Sequence, residues 1–382
     1  MAWREVSTMS ARREFVSLAM QPESNVRELC RRFGISPTTG YKWIDRGSRA
    51  DETYLDRSRR PHHSPHRTAG SIEQAVLAVR DAHPVWNARK IRRVLQRESG
   101  EQSVPAASTI GQILKRNGRI SEAASEAAEP WLRFEHDAPN DLSQIDFKGH
   151  FAVGRQRCYP LTMLDDHSRF SQLLEACVDE QTETVRRHLI SAFRRFGLPK
   201  RMNMDNGNPW GHGNSQRYTK LTVWLIRMGV GISHSRPMHP QTNGKDERFH
   251  RTLKAEVLTN RWFSNIEEVQ RAFDHWREIY NHQRPHEALG LEVPATRYVA
   301  SSRPYPETLP AIEYDSTDLI KKVRSNGKVA FQGQDSYVGE AFAGQPVALR
   351  ATDQDGLWSV HFCRERIATV DRRSLPTDPQ LS

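Results

Sequence analysis

Apolar residues recur at helical spacing through the first 120 positions and at strand spacing from about position 142, so this chain must combine an all-helical part with a part built on a sheet. In "SNVRELCRRFGISPTTGYKWIDRG", Ser24 can cap a helix whose Val26, Leu29 and Phe33 share one face. Gly34 offers the left-handed stop, and Ser36-Pro37 supplies the cap and first-turn proline of a second helix. Helix, short glycine turn, helix is the helix-turn-helix pattern. Its second helix lies in the DNA major groove, which makes Thr38, Thr39, Lys42 and Arg46 candidate contacts. A plain helical hairpin has the same pattern.

The segment 71–120 repeats the theme. Ile72, Val76 and Val79 suit one apolar face, Ile91 and Leu95 a second, and Ile110, Ile113 and Leu114 a third, with Ser108 or Thr109 as the last cap. Three helices ending in Lys115, Arg116 and Arg119 suggest a second helix-turn-helix unit, with Lys115 and Arg116 as candidate DNA contacts. Charge supports a polyanion partner. The formal net charge is +10, and residues 1–120 carry 22 Lys and Arg against 12 Asp and Glu, so the whole surplus lies in this first third. Each phosphate contact is rewarded by counterion release.

Beyond an Ala/Glu-rich stretch at 121–137, "LSQIDFKGHFAV", "CYPLTML" and "FSQLLEACV" read as strands, with "DDHSR" as a tight turn. An amphipathic helix follows, with Val185, Leu189, Ile190 and Phe193 inward, then a strand "KRMNMDNG", a helix near 215–228 and a strand "VGISHS". Hairpins followed by alternating strand and helix imply an α/β domain with a mixed sheet. A helix with Val269, Phe273 and Trp276 on one side links it to a tail at 312–372, whose short β runs bounded by Gly and Asp fit a small β-barrel.

Three acids stand out in the α/β part. Asp146 sits mid-strand between Ile145 and Phe147, where Asp is uncommon; a solvent-face or bulge position is the alternative. Asp205 ends a strand in "MNMDNG", which is also an ordinary turn sequence. Glu247 lies in "HPQTNGKDERFHRTLKAEV". If Thr242 or Asn243 caps a helix there, Phe249, Leu253 and Val257 form its buried stripe, and Glu247, His250, Arg251 and Lys254 share a separate exposed face. An i,i+4 pair between Glu247 and Arg251 is the alternative. Converging, the three acids would repel one another unless divalent cations neutralised them, and hard Mg²⁺ prefers carboxylate oxygen and water.

"LSQIDFKG", "LTMLDDHSRF", "MDNG", "HPQTNGKDERFHRTLK" and "YNHQRPHEALG", in this order, resemble the DDE integrase core of bacterial insertion-sequence transposases, which is related to retroviral integrase. The likeness covers nearly the whole chain. It implies a ribonuclease-H-like fold, with Asp146, Asp205 and Glu247 as the metal-binding catalytic triad and Mg²⁺, with Mn²⁺ as the alternative, as cofactor. It also implies phosphate contacts from Arg251 and Lys254. Asp205 and Glu247 stand 42 positions apart, longer than the family spacing, through an insertion in "PWGHGNSQRYTK". Asp246, adjacent to Glu247, would point about 100° away on the helix. Asp165 and Asp166 are expected to serve the turn.

The expected organisation is a helix-turn-helix domain at 1–57, a basic linker at 58–70, a second helix-turn-helix domain at 71–120, a linker at 121–137, a catalytic core at 138–300 and a β-barrel at 312–372. The expected function is a DNA transposase that binds terminal inverted repeats, cleaves phosphodiesters and joins the ends to target DNA as a homo-oligomer assembled on double-stranded DNA. A DNA-binding descendant without chemistry, or a nuclease that cuts without joining, are the rivals. No run of about 20 apolar residues suits a membrane span, so the expected location is the bacterial cytoplasm, on the nucleoid when DNA-bound. The four cysteines read as reduced packing residues, and His62, His63 and His66 as part of a solvated basic linker.

Overall fold

A computed structural model describes residues 7–48, 54–56, 68–100, 104–120, 135–211, 217–234 and 244–373. The histidine cluster, most of both expected linkers, and the Thr242 and Asn243 cap positions lie outside the described residues. The chain divides into two units, 1–67 and 68–382.

In the first unit, α1 (Thr8–Ala19) precedes α2 (Val26–Arg32) and α3 (Pro37–Ser48). Asn25, one residue after the expected Ser24, caps α2 by accepting from the Glu28 amide at 3.2 Å. The Ser24 hydroxyl instead donates to the Ala19 carbonyl at 2.7 Å and so closes off α1. Gly34 takes φ +65°, the left-handed stop. Ser36 accepts from the Thr39 amide at 3.2 Å, and Pro37 opens α3. Phe15, Val16, Cys30 and Trp43 form the core. A side chain at Gly40 would meet Cys30 Sγ at 2.5 Å and one at Gly47 would meet Val16 Cγ1 at 2.5 Å, so α3 lies against its neighbours along that face.

The second unit opens with α4 (Gly70–Ala82), α5 (Ala88–Ser99) and α6 (Ala107–Arg116), which enclose Val76, Trp86, Ile91, Leu95, Ile110, Ile113 and Leu114. Helix α6 starts before the expected Ser108 and Thr109 caps: Ala106 holds the cap position with no side-chain bond. Two alanines after Pro105 favour helix strongly enough to start it one turn early. These helices are anchored to later parts of the same unit. Arg93 and Arg97 both pair with Glu292, and Asn87 donates to Glu287 at 2.8 Å.

Strands β1 (Leu142–Phe147), β2 (Phe151–Val153), β3 (Gln156–Asp165), β4 (Ser171–Cys177), β5 (Arg201–Met204) and β6 (Gly231–His234) form one sheet, interleaved with α7 (Thr182–Phe196) and α8 (Lys220–Arg227). The path runs β2-β3-β1-β5-β6, with β4 also paired to β3. Strand β1 is antiparallel to β3 and parallel to β5, and β5 is parallel to β6, so the sheet is mixed. Alternation along the strands feeds two cores. Ile145, Leu161, Met163 and Leu173 join Val185, Leu189 and Phe193 of α7 and Leu225 of α8. Val153, Cys158, Leu164 and Leu174 join α9 (Gly244–Leu253), a π turn at Lys254–Leu258, and α10 (Ile266–His282). The stripe Phe249, Leu253 and Val257 is buried as expected, as are Val269, Phe273 and Trp276.

After α10 the chain returns across the end of α7. Leu198 donates to the Arg303 carbonyl at 2.7 Å, Ser301 donates to the Phe196 carbonyl at 2.8 Å, and the Arg303 guanidinium donates to the carbonyls of Pro199, Met228 and Gly229. Gly197 is required there: at φ +76°, a Cβ would meet the Ser301 carbonyl oxygen at 2.7 Å.

The tail holds β7 (Leu319–Lys322), β8 (Lys328–Phe331), β9 (Gln334–Tyr337), β10 (Pro346–Ala351), β11 (Leu357–Phe362) and β12 (Glu365–Asp371). The expected barrel is not seen among the described residues. The strands form an open antiparallel sheet, β12-β11-β10-β7, and a separate β8-β9 hairpin. Strand composition reports the strands but not closure, which depends on register and stagger. The inner faces of these strands instead join the core beside α7 and α8, with Phe342 edge-on to Tyr218 at 5.1 Å. Cys30, Cys158 and Cys177 are buried free thiols, and Cys363 is half-buried and free. Among the described residues, no helix is long and apolar enough to cross a membrane.

Candidate active site

Asp146 lies on β1, opposite Thr162 of β3, one residue from the inward Ile145 and therefore on the face that α9 covers. Helix α9 is held there by a polar clamp. Thr162 donates to the Asp146 carbonyl at 3.0 Å, so its hydroxyl oxygen accepts from His250 Nε2 at 2.8 Å. Burial and the nearby Lys148 push His250 down to about 4, which keeps it neutral. The exposed face expected for His250 is thus corrected: the side chain turns inward and fixes α9 to β3, because its ring has a hydroxyl to bond.

The carboxyl of Asp146 is pushed up to about 7 by burial, by the charge of Asp205, and further by Glu180 and Glu247. Asp205 follows β5, whose neighbour in the sheet is β1. Burial raises it too, against the Gly207 amide, which donates to its Oδ1 at 3.0 Å, and against His234. His234 Nδ1 donates to the Asp205 carbonyl at 2.9 Å. Three carboxylates from two adjacent strands and one helix therefore lie within electrostatic reach of one another. Among the described residues, no three such groups stand close enough to hold a metal ion as they are placed.

The first turn of α9 separates its two acids. Glu247 is exposed, whereas Asp246 is buried, with Oδ1 lacking a partner and its carboxyl raised well above the ordinary range by burial and by Asp146 and Asp166. Beside it, Lys245 pairs with Asp166, which is 2 % exposed and also accepts from Gln144 at 2.9 Å and from the His136 amide at 3.0 Å. One buried carboxylate thus ties Gln144, two residues before Asp146, to Lys245, two residues before Glu247. Asp165 accepts from the Asn140 amide, the Ser168 amide and the Ser168 hydroxyl at 2.7, 2.8 and 2.5 Å.

Arg251 and Lys254 are exposed on α9 and its π extension. Lys148, not singled out from the sequence, joins them: burial and the charge of Lys254 lower its pKa, which puts the two lysines within electrostatic reach of each other. Its position two residues after Asp146, on the same side of an extended chain, was the available signal. In the helical modules the predicted contacts fare unevenly. Thr38 and Lys42 are exposed on α3, and the Thr39 hydroxyl bonds Ser36 Oγ at 2.9 Å. Arg46 is only 8 % exposed; it donates to the Leu55 carbonyl at 3.0 Å and stacks on Trp43. Lys115 is exposed, while Arg116 pairs with Glu73 through Nε at 3.0 Å.

Residues 136–240 and 228–294 match two family models, each described as an integrase core domain, and 318–376 match the C-terminal domain of IS481 family transposases. Residues 11–62 match a helix-turn-helix domain and 39–114 a homeodomain-like domain. An uncharacterized 31.7 kDa protein of insertion element IS407 from Burkholderia multivorans is 29 % identical over 160 residues, covering 41 % of this chain and 55 % of that protein. An uncharacterized 39.2 kDa protein of insertion element IS476 from Xanthomonas euvesicatoria is 28 % identical over 167 residues, covering 43 % of this chain and 46 % of that protein. The chain thus spans about half the length of these curated relatives. The HTLV-2 integrase catalytic core domain, solved in complex with magnesium, is a loose likeness: 15 % identical, with a TM-score of 0.33, over 42 % of this chain and 97 % of that one. The chain thus carries integrase-core sequence over 136–294, as the order of its motifs suggested, and a tail that matches the IS481 C-terminal domain.

Proposed function

We propose that this chain, with its integrase core between helical modules and an IS481-type tail, is a DNA transposase that cuts phosphodiesters at the ends of a mobile element and joins them to target DNA. The observation that carries the reading is the Asp146 carboxyl, which stands mid-strand on the face that α9 covers and is raised to about 7 by burial and by the charges of Asp205, Glu180 and Glu247. Acids forced together in a domain whose α9 and its π extension expose Arg251 and Lys254 suit a site that takes a cation and a polyanion together.

The donor set is carboxylate oxygen alone, which fits Mg²⁺, with Mn²⁺ as the alternative. Asp146, Asp205 and Glu247 would hold it. Bound there, the ion supplies Lewis-acid activation of an oxygen nucleophile and neutralises charge on the phosphate. The chain's own residues do the rest. Arg251 and Lys254 grip the backbone next to the scissile bond, and the neutral His250 keeps α9 seated on β3. The helical modules hold the terminal repeats, with Thr38, Thr39, Lys42, Lys115 and Arg116 facing DNA. Modules at 1–57, 71–120, 138–300 and 312–372 belong to this reading. So do a homo-oligomer assembled on double-stranded DNA, because joining two ends takes two sites, and a cytoplasmic location on the bacterial nucleoid.

The test is a Mg²⁺-dependent cleavage and strand-transfer assay on DNA bearing the element's flanking repeats, with wild type beside Glu247→Gln. Cut and joined products from wild type alone are expected. Cutting without joining would assign a nuclease, and repeat binding without cutting by either protein would assign a DNA-binding descendant.

A further inference from the structure

Helix α3 presents two faces of opposite character. Its inward face is set by Gly40, Trp43 and Gly47, where a Cβ added at either glycine would meet Cys30 or Val16 at 2.5 Å. At 100° per residue, Thr38, Tyr41 and Lys42 fall on the opposite side, with the Lys42 ammonium reaching back to 5.4 Å from the Trp43 ring. All three are exposed, and Tyr41 stands out as a large aromatic 56 % open to solvent. Arg46 does not belong to that face, being buried against Trp43 and the Leu55 carbonyl. A single exposed aromatic is ordinary by itself; on this face, beside Thr38 and Lys42, the tyrosine presents both an apolar ring and a hydroxyl to a partner. Residues 7–48 carry seven Lys and Arg against four Asp and Glu, so the module as a whole favours a polyanion, with the exposed Asp45 as the one acid on the Tyr41 side of α3.

We propose that Tyr41, with Thr38 and Lys42 flanking it, is a base-reading residue of the first helical module, and that Arg46 is a packing residue that positions α3 instead of touching DNA. The inference rests on the transposase reading for its ligand, double-stranded DNA. A helix placed in the major groove by its N-terminal half brings positions 38, 41 and 42 to base edges. The Tyr41 ring fits against a thymine methyl and its hydroxyl reaches a base-edge or phosphate oxygen, while Lys42 meets the neighbouring phosphate. Trp43 stays inside and carries Arg46 and Arg12 over its ring at 4.7 and 4.2 Å, which stiffens the helix that presents Tyr41.

The test is selection of preferred sites from a randomised duplex pool by the full-length chain, with melting temperature measured alongside. Wild type is expected to select a defined sequence. Tyr41→Ala should lose discrimination at one or two base pairs, by about tenfold, at unchanged melting temperature. Tyr41→Phe should keep part of it, through the ring alone. Arg46→Gln should lower the melting temperature and still select the wild-type sequence. If Tyr41→Ala selects the wild-type sequence at wild-type affinity, or weakens all sequences equally, the assignment of Tyr41 is overturned. A changed selected sequence with Arg46→Gln overturns the packing role of Arg46. If wild type selects no sequence, the failure lies with the terminal-repeat reading itself, and the Tyr41 assignment falls with it.

Discussion

Two pairs of acids sit within the same sheet and meet opposite fates. Asp165, the last residue of β3, and Asp166, in the turn that follows, are buried, yet each accepts at least three donors, from backbone amides, Ser168, Gln144 or Lys245. Asp146 and Asp205, on adjacent strands, are less buried and far less well served. Asp205 accepts from the Gly207 amide, and for Asp146 the Phe147 amide opposes burial and three like charges. Burial alone therefore does not mark a working acid. A buried carboxylate whose oxygens are satisfied holds a fold together, and one whose charge is opposed mainly by other charges awaits a ligand.

The largest effect that tests this contrast is expected at Asp165. Replacing it with alanine strands two buried amides and a hydroxyl, and denaturant unfolding should show a loss of about 3–5 kcal/mol. A loss below 1 kcal/mol would make the turn as tolerant as the strand ends and erase the distinction. Asp166→Asn keeps the shape but leaves Lys245 without its counter-charge, so a loss of about 1–3 kcal/mol is expected, with Lys245→Met recovering part of it in the double variant.

Asp146→Asn should move the other way. The native carboxyl titrates near 7, above an unfolded value near 3.8, so the native state holds the extra proton between about pH 4 and pH 7, and stability falls as pH rises through that window. In chelator at pH 8 the variant should gain about 1–2 kcal/mol over wild type, the gain fading toward pH 4, and with Mg²⁺ restored the variant should fail to cleave where wild type cleaves. A variant less stable than wild type at pH 8 would place Asp146 with the structural pair. The smallest effect is expected on the basic face. Lys148→Gln or Arg251→Ala should each lower the slope of log affinity against log salt by about one, without altering sequence preference.

Much of this arrangement was legible because one-dimensional spacing maps directly onto faces. The buried stripe of α9, the inward residues of α10 and the three helices around Ile91 and Ile110 follow from period alone. What the sequence withheld depends on partners far along the chain. His250 fits the exposed face on helical spacing until Thr162, 88 residues earlier, offers it a hydroxyl. Arg46 fits a groove-facing position until the Leu55 carbonyl and the Trp43 ring claim it. Closure of the tail strands is likewise a matter of register, which alternating residues leave open. Lys148 was legible and passed over, because a single lysine after a strand carries no pattern of its own.

The return of residues 301–303 across the end of α7 also says where this protein can be cut. The integrase-core family match ends at residue 294, and a fragment trimmed there would lose the amide of Ser301 and the guanidinium and carbonyl of Arg303, which serve Phe196, Pro199, Met228, Gly229 and Leu198. A laboratory isolating the catalytic piece by its sequence match would obtain a domain with an unfastened hem, prone to aggregate for reasons unrelated to its chemistry. Ending the fragment after Arg303 retains those bonds, though it still leaves bare the surface that the tail strands cover.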